Sequence, residues 1–333
     1  TPLYSSAASD VYKRQDIFKL MAGFVATQIL YVWVQTGALQ KLADKPYSAA
    51  MLSSVWGFDL ERSEILCRAG EAIGLVIERK GHYRLTRKGA VLIGLPGVTA
   101  LIEHHKILYQ DLLNPVGFFK GVEETQLSKF WPYVFGGGMD LKSSEVEKYS
   151  DLMSESQHLV AADTLAAVNI PSVCRFLDVG GGKGTFVSEL KKIYPKVDAA
   201  VFDLPGSHSE NSGHRCIIGS FKEDELPAGY DIISLVRILY DHRDETIRDL
   251  LGKTYSALDK GGRLIVSEPM LGADRPTLWG DVYFAMYTLA MSTGKTRSPD
   301  QVSGFIKDAG FSNVTIHKSA RPFITTVIEA RKT

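Results

Sequence analysis

The sequence predicts an α/β protein in which a doubly wound, mostly parallel sheet follows a mainly helical N-terminal part. Strands and helices alternate from Ser172 onward, which is typical of a sheet covered by helices on both faces. An apolar strand, Arg175–Val179, runs into a turn dense in glycine, as at nucleotide-type cofactor sites. The last two strands, Val314–His317 and Phe323–Glu329, have a short link. They predict a terminal antiparallel hairpin that completes a seven-stranded sheet.

The length and the composition of the chain limit which classes of protein it can belong to. The 333 residues are enough for two domains, and equal numbers of basic (38) and acidic (38) residues give no global field for nucleic acid or anionic lipid. Cys67, Cys174 and Cys216 are widely spaced, which predicts inert thiols in a reducing compartment and no metal site. The most apolar stretch, Leu20 to Val34, is about 15 residues long and therefore predicts no membrane span.

The N-terminal region contains a helix, helix and hairpin pattern. Residues 1–15 lack an initiator Met and resemble translated read-through, so we expect a non-native leader and a native start further upstream. In 16–97, Ser48 and Asp59 begin two helices, and Val76 to Thr86 forms a hairpin, which together predict a winged-helix domain. Its second helix carries Glu61, Glu64 and Glu71, so dimerisation is favoured over DNA binding.

A mostly helical connector, 98–167, links this domain to the sheet domain, 168–333. It carries His104 and His105, together with aromatic residues at Phe118, Phe119, Phe130, Trp131, Tyr133 and Phe135. We expect this connector to cover a substrate pocket.

The glycine spacing selects the cofactor. Gly180, Gly182 and Gly184 give G-x-G-x-G, whereas dinucleotide enzymes favour G-x-G-x-x-G. About twenty residues later the next strand ends in Asp203, a carboxylate suited to a ribose diol. This pattern predicts an S-adenosylmethionine (SAM) site.

Together these segments resemble the small-molecule O-methyltransferases that join a winged-helix dimerisation domain to a Rossmann-like SAM domain. The resemblance extends from Asp16 to Arg331. In that family the fourth strand of the sheet ends in a catalytic His, whereas this chain has Tyr240 at that position, followed by Asp241 and His242.

Six segments resemble a narrower branch, the O-methyltransferases of acyclic 1-hydroxycarotenoids (hydroxyneurosporene and demethylspheroidene types). They are Met21–Val25, Glu103–His105, Val236–His242, Ile265–Met270, Asp281–Met291 and Thr293–Ser298. The resemblance implies methylation of a C-1 tertiary hydroxyl, a carotenoid acceptor, a homodimer and a cytoplasmic location. Peripheral contact with the photosynthetic membrane stays open.

The resemblance also implies which residues form the site. Expected cofactor contacts are Asp178, Gly180, Gly182, Asp203, Leu204, Ser220, Phe221 and Arg237. Expected pocket residues are His104, His105, Tyr283, Met286 and Tyr287.

Three residues are the catalytic candidates. Tyr240 occupies the position of the base, but an ordinary Tyr with a pKa of about 10 stays protonated, whereas a His of about 6.5 is mostly a free base. We therefore expect Tyr240 to orient the substrate hydroxyl and His242, or His104 or His105, to accept its proton. Glu268, at the end of the fifth strand, is expected to orient Tyr240 or His242.

Other functions stay open. A bacteriochlorophyllide methyltransferase would use the same cofactor and need a wide, flat pocket. A winged-helix regulator that senses SAM or a pigment would explain the missing His. A nicotinamide-dependent dehydrogenase is disfavoured by the glycine spacing.

Overall fold

The structure, a computed structural model, describes residues 7–130, 156–205 and 213–333. The chain divides into two compact units, Thr1–Lys106 and Ile107–Thr333, and the boundary falls inside the predicted connector. Trp131, Tyr133 and Phe135 of the predicted aromatic group lie outside the described residues.

The first unit is helical apart from one hairpin. Its elements are α1 Ala7–Gln35, α2 Ala38–Asp44, α3 Ala49–Trp56, α4 Leu60–Ala72, β1 Val76–Arg79, β2 His82–Leu85, α5 Arg87–Ile93 and the first part of α6 Pro96–Asp111. The predicted caps are confirmed, because Ser48 Oγ accepts from the Met51 amide (3.2 Å) and Asp59 Oδ1 accepts from the Arg62 amide (2.8 Å).

The core of the first unit forms around Trp33. This residue is fully buried, contacts the ring of Trp56 edge-on at 5.2 Å, and donates from its indole nitrogen to the Leu66 carbonyl (3.3 Å). Gly70 permits this close approach, because a Cβ there would lie 2.5 Å from the Trp33 indole. The helix pair α3 and α4 and the hairpin are therefore present as predicted, and the winged-helix domain stays a prediction.

The apolar helix α1 is longer than the sequence estimate. The apolar stretch was too short for a membrane, but within α1 the segment Arg14–Gln35 is 22 residues long and, by length and composition alone, long and apolar enough to cross one. The sequence estimate stopped at the apolar run, whereas the helix extends beyond it. Six large apolar side chains of this segment are exposed: Ile17, Phe18, Leu20, Met21, Phe24 and Val25.

The second unit contains the predicted sheet. Its strands are β3 Arg175–Val179, β4 Asp198–Asp203, β5 Arg215–Ile218, β6 Tyr230–Val236, β7 Leu258–Glu268, β8 Ser312–His317 and β9 Thr326–Arg331. Their order is β5-β4-β3-β6-β7-β9-β8. The first five strands pair in parallel, and β9 pairs antiparallel with both β7 and β8, so the seven-stranded sheet with a terminal hairpin is confirmed.

Helices cover both faces of the sheet. The helices of this unit after α6 are α7 Pro115–Lys120, α8 Gln126–Phe130, α9 over 156–167, α10 Thr185–Ile193, α11 Asp244–Ala257, α12 Ala285–Met291 and α13 Pro299–Asp308. Residues of α11 and α13 pack on one face of the sheet and residues of α9 and α10 on the other, whereas α7, α8 and α12 pack together in a separate apolar cluster. Alternate residues of β3 serve opposite cores, since Leu177 packs in one buried cluster and Phe176 in the other. The sheet is therefore closed to solvent on both faces, and its carboxyl edge is left for a site.

Two predicted boundaries change. The apolar run Ile232–Leu239 predicts one strand over its whole length, but β6 ends at Val236. Arg237 has a left-handed backbone (φ 59°), and Leu239 begins a short 3₁₀ turn, Leu239–Asp241. The apolar spacing of Gly280–Met291 predicts one helix, but the helix begins earlier, as a π-helical segment, Leu278–Phe284, which Thr277 caps, and continues as α12.

Candidate active site

The candidate site lies where four neighbouring strands end. These strands are adjacent in the sheet: β4 ends at Asp203, β3 at Val179, β6 at Val236 and β7 at Glu268. The Gly180 amide donates to the Phe202 carbonyl (2.8 Å), and the Arg237 amide donates to the Ser267 carbonyl (2.8 Å). The sheet therefore brings together the predicted cofactor loop and the predicted acceptor residues.

The glycine turn has a conformation that side chains disfavour. Gly180, Gly182 and Gly184 all have positive φ angles, of 70°, 56° and 76°. A Cβ on Gly180 would lie 2.4 Å from Ile238 Cδ1, whereas a Cβ on Gly182 would meet nothing within 4 Å. Gly180 is thus needed for packing against the Tyr240 turn, and Gly182 faces open space where a ligand can approach the backbone.

Two carboxylates accompany the glycine turn. Asp203 accepts from the Gly182 amide (2.6 Å) and from the Leu204 amide (2.7 Å), so it is held against the loop. Asp178 is 1% exposed and accepts from the Ser234 hydroxyl (2.6 Å), while its Oδ2 is buried with no hydrogen-bond partner in the described part of the chain. Burial raises the pKa of Asp178 to about 7, against the Ser234 hydrogen bond.

This arrangement fits SAM. An open backbone approach at Gly182, a carboxylate fixed beside it for a ribose, and an unfilled buried acceptor at Asp178 are the features that a cationic nucleoside ligand requires. Gly180, Gly182, Asp203 and Leu204 would hold it. All of them were predicted from the sequence.

Phe221 is the predicted adenine contact. Its ring packs edge-on against the His242 ring at 5.3 Å, and Lys253 Nζ donates to the Phe221 carbonyl (2.9 Å). Ser220 lies beside it, with its amide donating to Asp224 Oδ2 (2.8 Å). Lys253 has no counterpart in the sequence prediction, because a lysine on a helix is usually a solvated residue.

His242 therefore lies beside the predicted adenine contact. Burial, together with the nearby Lys222 and Arg297 cations, lowers the pKa of His242 to about 4. A histidine in this position is a poor proton acceptor at neutral pH, and its ring contacts Phe221. The geometry disfavours the proton-accepting role expected for His242.

Glu268 holds the backbone of the turn that carries Tyr240. Its Oε2 accepts from the amides of Leu239 (2.9 Å) and Tyr240 (3.2 Å), and the side chain is 1% exposed. Burial raises the pKa of Glu268 to about 8, although both amides and Arg297 oppose that shift. Glu268 thus orients Tyr240 through the main chain.

Arg297, which sequence reasoning gave no role, holds the other side of the same turn. Its guanidinium donates to the carbonyls of Leu239 (3.2 Å), His242 (2.9 Å) and Lys295 (2.8 Å), and it pairs with Asp244. The residue is 2% exposed. Arg297 lies in the Thr293–Ser298 segment, which carries part of the family resemblance, but nothing in that segment indicates that its arginine is buried.

Tyr240 lies at the centre of the acceptor side. It is 4% exposed, and Arg237 and Asp241 lie close enough to its hydroxyl to shift its pKa. Burial raises its pKa far above the ordinary value, with the charge of Asp241 adding to the shift and Arg237 opposing it. Arg237 also donates to Ser156 Oγ (2.7 Å), on α9.

The predicted pocket residues separate into groups. The rings of Tyr283 and Tyr287 stack at 6.2 Å, and Tyr283 lies near Tyr240 and Arg237. Tyr287 and Met286 instead pack in an apolar cluster with the connector helices. His104 and His105 belong to the first unit, where burial lowers the pKa of each to about 4, and their place in the pocket stays a prediction.

Comparisons with known proteins agree with this site. The model of the O-methyltransferase domain family matches residues 109–312. The chain is 42% identical to the demethylspheroidene O-methyltransferase of Rhodobacter capsulatus, over 96% of this chain and 82% of that protein. It is 40% identical to the enzyme of the same name from Cereibacter sphaeroides, over 95% of this chain and 86% of that protein.

A solved structure has the same fold. Human N-acetylserotonin methyltransferase in complex with SAM superposes with a TM-score of 0.76 at 22% identity, covering 100% of this chain and 99% of that chain.

Proposed function

The chain belongs to the O-methyltransferase family, and on that premise we propose that it methylates the C-1 hydroxyl of an acyclic 1-hydroxycarotenoid. It is a SAM-dependent enzyme. The observation that carries the choice of acceptor is the identity of 40–42%, over nearly the whole chain, to two demethylspheroidene O-methyltransferases.

The residues of the second unit suit this reaction. SAM supplies an electrophilic methyl group on a sulfonium, and in-line displacement depends on how well the oxygen is positioned. We propose that Asp203 binds the ribose, that Phe221 lies against the adenine, and that the Gly180–Gly182 backbone approaches the methionine end. The Tyr240 hydroxyl, beside Arg237 and Tyr283, orients the acceptor hydroxyl.

The acceptor is tested by methyl transfer from labelled SAM. Detergent-dispersed 1-hydroxyneurosporene and demethylspheroidene are the substrates, with neurosporene, which lacks the hydroxyl, as a matched control. A bacteriochlorophyllide and a simple phenol run in parallel. We expect label only in C-1 methoxy carotenoids. Binding of SAM without transfer to any hydroxycarotenoid would overturn the proposal.

We also propose that the protein is a cytoplasmic homodimer that forms through its first unit and binds no nucleic acid. The support is the exposed apolar face of α1, which includes Phe18 (62% exposed) and Phe24 (68%), since isolated chains rarely leave such a face in water. Contact of the same face with the photosynthetic membrane is the competing proposal.

Sedimentation separates these two proposals. We expect the wild type to sediment as a dimer and the double variant Phe18→Glu, Phe24→Glu as a monomer. Leu113→Glu, which changes an exposed apolar residue of the second unit, is the control. A wild-type monomer that floats with vesicles of anionic phospholipid would instead support membrane contact.

A further inference from the structure

Lys253, on α11, has an ammonium group that the fold holds mostly away from water. Its side chain is 13% exposed, and Nζ donates to the carbonyls of Phe221 (2.9 Å) and Lys222 (3.2 Å) and lies 3.1 Å from Asp249 Oδ2. These three acceptors match the three N–H donors of an ammonium group. The position of the Lys253 ammonium is therefore set by the residues around it.

The ion pair with Asp249 does not explain this arrangement. Asp249 lies one turn away on the same helix and is 56% exposed, and a pair with an exposed partner contributes little to stability. The two carbonyls belong instead to the turn that follows β5, 32 and 31 residues earlier in the chain. Since burying most of a lysine is costly unless its charge is satisfied, the contact with that turn is the feature to be explained.

The turn after β5 is tied to the strand end that carries Asp203. The Gly219 amide donates to the Asp203 carbonyl (3.0 Å), and the Asp224 amide donates to the Ser220 carbonyl (2.7 Å), which closes the turn. A Cβ on Gly219 would lie 2.6 Å from the Phe202 ring, so the turn packs closely against the end of β4. The predicted adenine contact and the predicted ribose contact therefore belong to one connected piece of backbone.

The Phe221 ring is supported on other sides as well. It packs edge-on against the His242 ring at 5.3 Å and lies against the buried cluster on one face of the sheet. Lys253 holds the main chain of the same residue. A ring that is already in place before a ligand arrives loses less conformational freedom on binding, so affinity depends on such supports.

We propose, resting on the placement of Phe221 against the adenine proposed above, that Lys253 is a positioning residue for SAM. By donating to the Phe221 and Lys222 carbonyls, it holds the turn in the conformation that presents the Phe221 ring to the base. This role concerns binding of the nucleoside and leaves the transfer step unchanged.

Lys253→Met is the first test, because it retains the aliphatic stem and removes the three donors. Calorimetric titration with SAM and with its demethylated product, S-adenosylhomocysteine, should show about tenfold weaker binding of both ligands. Turnover of the hydroxycarotenoid at saturating SAM should stay within about twofold of the wild type. A loss of turnover as large as the loss of affinity, or failure of the variant to fold, would overturn the proposal.

A double-variant cycle shows whether Lys253 acts through Phe221. Phe221→Ala should weaken SAM binding by itself, and adding Lys253→Met should weaken it by less than about twofold more, because the ring that Lys253 positions is gone. Fully additive losses would refute the role of Lys253. If Phe221→Ala leaves the affinity unchanged, the placement of Phe221 against the adenine fails and the role of Lys253 falls with it.

Two further variants separate the carbonyl contacts from the charge. Asp249→Asn removes the ion-pair partner and keeps both carbonyls, so SAM should bind within about twofold of the wild type. Lys192→Met, on α10, is the matched control, since Lys192 is 67% exposed and pairs with Glu189. A tenfold loss of affinity in Asp249→Asn would contradict the proposal. If the wild type methylates no hydroxycarotenoid, the choice of acceptor fails, and the titrations still decide the role of Lys253.

Discussion

The two sides of the site are built by different means. On the cofactor side, the Gly180–Gly184 turn is shaped by its own residues, whose positive φ angles only glycine adopts freely, and by backbone bonds to the adjacent strand. On the acceptor side, the Leu239–His242 turn is held by buried side chains distant in sequence, Glu268 and Arg297. The glycine turn is therefore determined by residues close in sequence, whereas the Leu239–His242 turn depends on the whole fold.

That difference shows where the site can vary. A turn fixed by glycines must keep them whatever the acceptor. A turn held by the buried Glu268 carboxyl and the Arg297 guanidinium can present another residue at position 240, provided that these two side chains remain. Tyr240 occupies the position at which the family has a catalytic His. The following predictions test how Glu268 and Arg297 hold the turn that carries it.

The largest expected effect follows from removing Arg297. Arg297→Met keeps much of the side-chain volume but leaves three carbonyls and Asp244 without their donor. We expect the free energy of unfolding to fall by about 3–5 kcal/mol, because three carbonyls of the turn and its neighbouring loop lose a hydrogen bond from a charged, buried donor, whereas Asp244 is 41% exposed and can be solvated. Urea denaturation followed by tryptophan fluorescence measures this. A loss below about 1 kcal/mol would show that the guanidinium does not support the turn.

Arg248→Met is the matched control for Arg297. Arg248 pairs with Asp308 at 2.9 Å, but its side chain is 55% exposed. An exposed pair contributes at most about 1 kcal/mol, so this variant should unfold almost as the wild type does.

A smaller effect is expected at Glu268. Glu268→Ala leaves the Leu239 and Tyr240 amides unpaired and should cost about 2–3 kcal/mol of unfolding free energy. Glu268→Gln retains a carbonyl acceptor and should cost less than about 1 kcal/mol. Chemical denaturation of the two variants side by side separates the need for an acceptor from the need for a charge. Equal losses in both would mean that the charge matters.

The smallest effect on stability is expected on the cofactor side. Gly182→Ala places a methyl group in open space at φ 56°, which should cost about 1–2 kcal/mol of stability and weaken SAM binding about tenfold. Gly57→Ala in the first unit has a similar φ (70°) and an equally open surrounding. It should cost as much stability and leave SAM binding unchanged. Calorimetric titration with SAM checks both, and equal affinities would contradict the loop assignment.

Much of the fold could be predicted from local patterns. The alternation of strands and helices, the hairpin, the N-caps Ser48 and Asp59 and the glycine turn all depend on neighbours within a few residues. The end of β6 was misplaced, because Ile238 and Leu239 continue its apolar run although they are buried in a turn. A run of apolar residues indicates which residues are buried, but buried residues can continue beyond the end of a strand into a turn.

The sequence by itself determined the sheet, the glycine loop, Asp203 and the position of Tyr240 at a strand end, because each follows from periodicity or from residues adjacent in the chain. Only the tertiary structure decided that Glu268 and Arg297 hold the Tyr240 turn and that the His242 ring packs against Phe221. Those facts depend on hydrogen bonds across 28 to 58 residues and on burial. The energy of a charged group depends on which partners and how much water the fold places around it, and sequence spacing does not encode either.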